Sequence, residues 1–394
     1  MFKSYRIGQA FGIPLKLDVT LLLVLPLFAW VIGAQIETVV PILNQVFGTD
    51  IAADALAGVV WPLIVGLLAA IGLFIGVALH EFGHALVALR YDYDIDSITL
   101  WLLGGVAQLV DRPRDWRHEF WIAIAGPIVS LAVGVVCYLA LLVVPAGMDV
   151  TAFVLAYLAL LNVGLAVFNM LPAFPLDGGR VLRAILARSM SYVRATKVVT
   201  LVGKGFAILL GLGGLATVNV FWVAIAIFVY IAATAESRQM MLDATLDGLT
   251  ARDVMRRASE LSTVPPELTV DRLLERMFQE RQTYYPVVRD GQIGGVVTLE
   301  DVQELERTQR VAARVGDVMT SFDALERISA DSDAMAAFQR LQQSESEHLL
   351  VVEDGSVVGV LTLEDLLSTQ EIVREHRRVD DRSPRREPQR QRRL

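Results

Sequence analysis

The run Val59–Leu89 reads VVWPLIVGLLAAIGLFIGVALHEFGHALVAL, and its reading decides the fold. For most of its length it is an apolar helix that can cross a bilayer, since about 20 residues cover a ~30 Å hydrocarbon core. Near its end stand His80, Glu81 and His84. Histidines at i and i+4 share one helix face, so both imidazoles can reach one ion, and Glu81 beside them can accept a proton from water at that ion. Ionisable side chains in hydrocarbon are costly unless partnered, so three within five positions point to a function. The apolar run continues through Ala85–Leu89 before Arg90. At about 1.5 Å per residue, His80 lies roughly 15 Å inside the charged end, too deep for a polar cluster resting in the interface.

Working outward, five more apolar spans are expected, approximately Val19–Ile36, Phe120–Val144, Ala152–Leu171, Ala195–Leu215 and Val218–Ala233. The chain is 54% hydrophobic with mean hydropathy +0.50, beyond the usual range of soluble globular proteins, and its apolar residues are concentrated before about Ser237. The fold expected is therefore an α-helical polytopic membrane protein of about six transmembrane helices, with a soluble α/β half behind it. The first run reads as a span rather than a signal peptide, because Tyr5–Leu17 before it alternates and turns instead of forming a short basic start. Loop charge sets an orientation. Glu37–Asp54 and Pro145–Thr151 carry no Lys or Arg, whereas Arg90, Arg112, Arg114, Arg117 and Arg180, Arg183, Arg188, Arg194, Lys197 follow the second and fourth spans. The positive-inside rule puts those basic segments, both termini and the soluble half in the cytoplasm. The single cysteine, Cys137, excludes both an internal disulfide and a Cys-rich zinc site.

A catalytic zinc takes three protein ligands and leaves one position open. His118, His348 and His376 fall in loops or the soluble half, so a carboxylate is the expected third ligand. Asp177 is the best candidate, in Asn169-Met170-Leu171-Pro172-Ala173-Phe174-Pro175-Leu176-Asp177-Gly178-Gly179. That segment ends the fourth span, which runs in the same direction as the second, and its prolines and glycines break the helix where irregular backbone can line a wet cavity. The alternative is that Asp177 caps the helix beginning at Gly178. Between the second and third spans, Ile95–Val110 reads as a small β-hairpin insertion, with Ser97–Trp101 a strand and Gly104-Gly105 the turn. It could pair with an extended partner by strand addition, or simply pack on the bundle.

The soluble half repeats itself at an offset of about sixty residues: Asp253-Val254-Met255 and Asp317-Val318-Met319, Asp290-Gly291 and Asp354-Gly355, Thr298-Leu299-Glu300-Asp301 and Thr362-Leu363-Glu364-Asp365. The domains expected are a membrane unit 1–237, a linker 238–249, two copies at 250–310 and 311–370, and a disordered basic tail 371–394.

HEFGH in one span, followed by Asn-x-x-Pro-x-x-x-x-Asp-Gly after a later one, resembles the site-2 protease family of intramembrane zinc metalloproteases, over roughly residues 1–235. The resemblance implies Zn2+ held by His80, His84 and Asp177, with Glu81 as catalytic base and Asn169 in a polar assisting role. It implies single-span or other membrane-protein substrates cut in or near their transmembrane segments within the lipid bilayer. Gly126-Pro127-Ile128-Val129-Ser130 resembles a family Gly-Pro motif. Ser130 stands where the family commonly has Asn, a departure that argues against a side-chain role there. The tandem repeat resembles a pair of cystathionine-β-synthase (CBS) domains. That implies adenine nucleotide (ATP, ADP or AMP) bound through Thr298, Asp301, Thr362 and Asp365, and homodimer formation through the pair; the same residues would also serve as plain helix caps. No nucleic-acid partner is expected. Two rival readings remain open, a CBS-regulated transporter and a metal sensor without proteolysis.

Overall fold

A computed structural model describes residues 4–369 apart from 103, 110–112, 114, 290–291, 304, 306–309, 311, 345–347 and 367. The expected tail at 371–394, Arg112, Arg114, Asp290-Gly291 and His376 lie outside the described residues. The chain divides into two compact units, Met1–Arg238 and Gln239–Leu394.

In the first unit, β1 (Ser4–Ala10) and β2 (Ile13–Asp18) form a hairpin whose turn residues Phe11 and Gly12 both have positive φ. Asp18 then caps α1 (Val19–Ala34), its Oδ1 accepting from the Thr20 amide at 2.9 Å. At 16 residues α1 is about 24 Å long, short of the bilayer core. A 70° bend leads into α2 (Ile36–Phe47), so the first expected span is a broken pair rather than one straight helix. α3 (Trp61–Arg90) is a single 30-residue helix with Pro62 in its first turn, where the missing N–H is harmless. It lies tight against α1: a Cβ on Gly66 would come within 1.9 Å of the Ala29 carbonyl oxygen.

The expected hairpin follows as β3 (Ile95–Trp101) and β4 (Gly104–Leu109), with Gly104 and Gly105 in the strand rather than in the turn. It is half of a larger sheet. β2 pairs parallel with β3, giving the order β1-β2-β3-β4. Ile13 and Ile98 of this sheet pack on Phe82 and Ala85, so the sheet lies on the part of α3 that carries the histidines. Then come α4 (Trp116–Leu141), α5 (Asp149–Asn169), the short α6 (Asp177–Ala187), α7 (Tyr192–Ala216) and α8 (Val220–Leu246). Among the described residues five helices are long and apolar enough to cross a membrane, or six spans if the bent pair counts as one. Residues 238–249, read above as linker, are helical through Leu246.

The second unit interlocks its two repeats. β6 (Tyr284–Arg289), β7 (Gln292–Thr298) and β8 (Thr320–Ser321) make one sheet, and β5 (Arg256–Arg257), β11 (Ser356–Thr362), β10 (His348–Glu353) and β9 (Arg327–Ser329) the other. β5 of the first repeat pairs with β11 of the second, and β8 of the second pairs with β7 of the first. Each repeat thus completes the other's sheet. The helices α9 (Ala251–Val254), α10 (Val270–Glu280), α11 (Leu299–Gln303), α12 (Val315–Val318) and α13 (Ala334–Gln343) accompany them. The strongly one-sided α10 buries Val270, Leu273 and Met277 against Tyr285, Val287 and Val297.

Candidate metal centre

The centre is built where α3 and α4 run close together. Gly83 permits the approach, since a Cβ there would meet Ala125 and Val129 at under 3 Å. On α4, Ile122, Gly126 and Ser130 follow one another at four-residue steps and face α3 as one stripe. His84 Nδ1 donates to the Ile122 carbonyl at 2.7 Å, which leaves Nε2 as a bare lone pair. His80 Nδ1 lies 2.8 Å from Ser130 Oγ, and the tautomer that donates there likewise frees Nε2. Ser130 is fully buried with its hydroxyl against the His80 ring, a side-chain contact at the position where the departure from the family pattern put one in doubt. Gly126 sits between the two rings. A Cβ at that position would come within 2.2 Å of His84 Nε2 and 2.7 Å of His80 Nε2, so the space in front of both nitrogens depends on a glycine.

Asp177 arrives from the other side. Gly178 and Gly179 let the irregular segment after α5 fold back on the start of α6; a Cβ on Gly178 would come within 2.3 Å of the Met170 and Leu171 carbonyl oxygens. Asp177 is the first residue of α6 and makes no cap, the N-cap being Leu176. Its Oδ2 instead lies 3.1 Å from His80 Nε2 and 3.3 Å from His84 Nε2, and the two nitrogens are 3.1 Å apart. The three residues are only 4%, 6% and 9% exposed and form a group able to hold a metal ion. Tetrahedral zinc with ligand bonds near 2.0 Å needs donor separations of about 3.3 Å, so the site fits that ion without rearrangement.

Glu81 is half-buried and does not join the three. Its Oε2 accepts from the Ala107 amide of β4 at 3.1 Å, and a Cβ on Gly105 would come within 2.4 Å of its Cγ. Among the described residues β4 is the edge of the sheet, and Glu81 takes the Ala107 amide of that edge. Asn169 ends α5 half-buried, with no side-chain hydrogen bond among the described residues. Sequence reasoning did not anticipate Asn162, which is buried against Gly76, one turn from His80, with its Oδ1 unpartnered. Nor did it find the buried group of Arg183 and Glu119. An acid at the mouth of an apolar helix was the available signal for Glu119.

In the second unit the expected nucleotide residues cap their own helices. Thr298 Oγ1 donates to Asp301 Oδ2 at 2.9 Å and accepts from the Asp301 amide at 3.2 Å. Thr362 and Asp365 repeat this at 2.7 and 3.2 Å. The second Asp365 oxygen also accepts from Arg256 Nε at 2.5 Å.

Comparison with known proteins gives a consistent result. The family model of peptidase family M50 matches residues 68–150 and 145–211, and that of the CBS domain matches 251–306 and 315–371. The zinc metalloprotease MJ0392 of Methanocaldococcus jannaschii is 31% identical over 376 residues, which cover 94% of this chain and 97% of that one. Rip3 of Mycobacterium tuberculosis is 31% identical over 394 aligned residues, covering 95% and 94%. Among solved structures, a site-2 protease from Methanocaldococcus jannaschii is 32% identical, covering 60% of this chain and 95% of that one, at a TM-score of 0.40.

Proposed function

Because the chain belongs to peptidase family M50, the site-2 proteases, and ends in a CBS pair, we propose specific roles for the residues assembled above. The activity is that of an intramembrane zinc metalloprotease, with the CBS pair as its regulatory part. The transporter and sensor readings are set aside by that membership. The single observation that carries the assignment is the meeting of His80 Nε2, His84 Nε2 and Asp177 Oδ2 inside the bundle.

His80, His84 and Asp177 hold the zinc, and Ser130 and the Ile122 carbonyl fix the two rings. Zinc, when bound, supplies Lewis acidity toward the scissile carbonyl and toward water. Glu81 takes the proton of the attacking water and passes it to the leaving amine. Asn169, free at the end of α5, donates to the oxyanion. A helical substrate must unwind before attack, and backbone groups freed in lipid are costly. The need to unwind favours substrates with Gly, Pro or polar residues near their cytoplasmic end, and the outer edge of β4, apart from the Ala107 amide that Glu81 takes, offers the freed groups partners through strand addition. Loop charge supports cytoplasmic termini and a cytoplasmic CBS pair. The Thr-x-x-Asp corners at Thr298/Asp301 and Thr362/Asp365 support adenine-nucleotide binding, and the pair supports homodimer formation.

The test is the Glu81→Gln variant in detergent beside the wild type, with single-span proteins as substrates and metal analysis of both. The variant keeps its zinc and loses cleavage by about 10²–10⁴-fold, the usual worth of a general base. Equal cleavage by the variant, or wild-type protein without a divalent metal, overturns the assignment.

A further inference from the structure

Outside the metal centre, the membrane unit buries an ion pair that the chemistry above does not use. Arg183, on α6, is 6% exposed, and its partner Glu119, in the first turn of α4, is 5% exposed. Arg183 Nε donates to Glu119 Oε1 at 2.7 Å, and Nη2 donates to the same oxygen. Nη1 donates to Glu236 Oε1 of α8 at 2.9 Å. The face of the guanidinium lies 4.9 Å from the ring centre of Phe174. Phe174 is itself buried on Val199 of α7 and Ala233 of α8, in the segment that delivers Asp177.

Each of these contacts leads to the metal centre by a short path. Arg183 sits on the 11-residue helix whose first residue is Asp177. Glu119 lies one turn before Ile122, whose carbonyl orients His84, on the helix that also supplies Ser130 to His80. One rigid, planar fork therefore ties the helix of the carboxylate ligand to the helix that holds both imidazoles, and ties both to α8. α6 follows irregular backbone, opens on Asp-Gly-Gly and has no side-chain cap, so among the side-chain hydrogen bonds of the described residues its tie to α4 and α8 is the one Arg183 makes. Buried ion pairs seldom stabilise more than well-packed apolar groups would, so fixed geometry is the better account of this one. The Tyr192 hydroxyl is buried beside the same carboxylate, so α7 also faces the pair.

We propose that Arg183 is a positioning residue for the metal centre: by clamping α6 to α4 and α8 it holds the Asp177 carboxylate at the two imidazoles, so zinc affinity depends on a side chain that does not touch the ion. The proposal rests on Asp177 being a ligand, and its test keeps the two claims apart. Full-length protein in detergent is stripped of metal and titrated with zinc against a chromophoric chelator. Helix content and elution volume are recorded for each apo sample. Arg183→Met and Arg183→Lys, the second keeping the charge without the fork, each weaken zinc binding at least tenfold, within the roughly 10–100-fold range of groups that orient ligands. Glu236→Gln, which keeps one oxygen acceptor, weakens it by less. The apo proteins keep their helix content, which separates positioning from general loss of structure. If Arg183→Met does not fold, Arg183→Lys and Glu236→Gln carry the test. Folded Arg183 variants that bind zinc like the wild type, while Asp177→Ala does not, overturn the proposal. If Asp177→Ala itself binds zinc like the wild type, the ligand assignment fails and the proposal fails with it.

Discussion

The metal centre of the membrane unit and the Thr-x-x-Asp corners of the CBS unit are both short polar motifs in apolar surroundings, and they spend their hydrogen bonds differently. At each corner the Thr and Asp satisfy one another across three residues, so the protein needs no further partner there. In the membrane unit, two imidazole nitrogens from one helix and a carboxylate oxygen from a segment nearly a hundred residues on meet within 3.1–3.3 Å. The remaining ring nitrogens are already occupied, so these are three lone-pair donors aimed at one point. A proton on one imidazole can pair it with Asp177, but a metal cation is what satisfies all three at once. A motif closed on itself can tolerate a ligand, whereas a motif of converging lone pairs requires one.

The widest gap between the two regions is expected on ligand removal. His80→Ala or Asp177→Ala should lower zinc affinity by about three orders of magnitude, roughly a third of the ~10–16 kcal/mol that protein zinc sites supply. Asp301→Ala and Asp365→Ala should leave zinc affinity unchanged. Chelator competition measures all four, and a zinc effect of the CBS variants as large as that of Asp177→Ala would erase the distinction. A smaller effect is expected from Ser130→Ala, which removes the group that orients His80. It should weaken zinc binding by about 10–100-fold, and Ser130→Asn should recover part of the loss because its amide oxygen can accept the same proton. Unchanged affinity in Ser130→Ala would mean that packing against Gly126 alone fixes the rings.

What could be read beforehand follows the same division. All the spans but the first, the His80–His84 dyad and Asp177 were legible because each rests on a periodicity or a spacing that survives whatever the rest of the chain does. The duplication was legible because it is written twice. The Ser130 contact was not legible because it comes from α4 standing against α3, which no spacing within α4 encodes. The β3–β4 hairpin was expected, but its parallel partner β2 lies on the far side of three helices in sequence, so the four-stranded sheet could not be inferred. β5 and β8 are two residues each, too short for any alternation, and they exist only because the repeats exchange them. Arg183 was counted only as a basic loop residue. Its value depends on Glu119 and Glu236, which are 64 and 53 residues away.

The smallest effects separate the two corners from each other. Thr298→Ala and Thr362→Ala each remove an N-cap hydroxyl, a change usually worth about 1 kcal/mol. Thr362 and Asp365 are buried, whereas Thr298 and Asp301 are partly exposed, so the second loss should be the larger: water can replace the hydroxyl at the first corner and not at the second. Asp365 also anchors Arg256, which crosses from the other repeat, so Asp365→Ala should cost more than Asp301→Ala. Thermal unfolding of the full chain with and without AMP or ATP reads both properties at once. A ligand that binds only the folded form raises stability by RT ln(1 + [L]/Kd), about 2.7 kcal/mol at a hundredfold excess over Kd. The wild type should gain that increment, and a variant whose corner holds the ribose should lose it while keeping its cap-sized deficit in the absence of nucleotide. If nucleotide shifts neither the wild type nor any variant, the corners are caps and nothing more, and the contrast with the metal centre becomes complete.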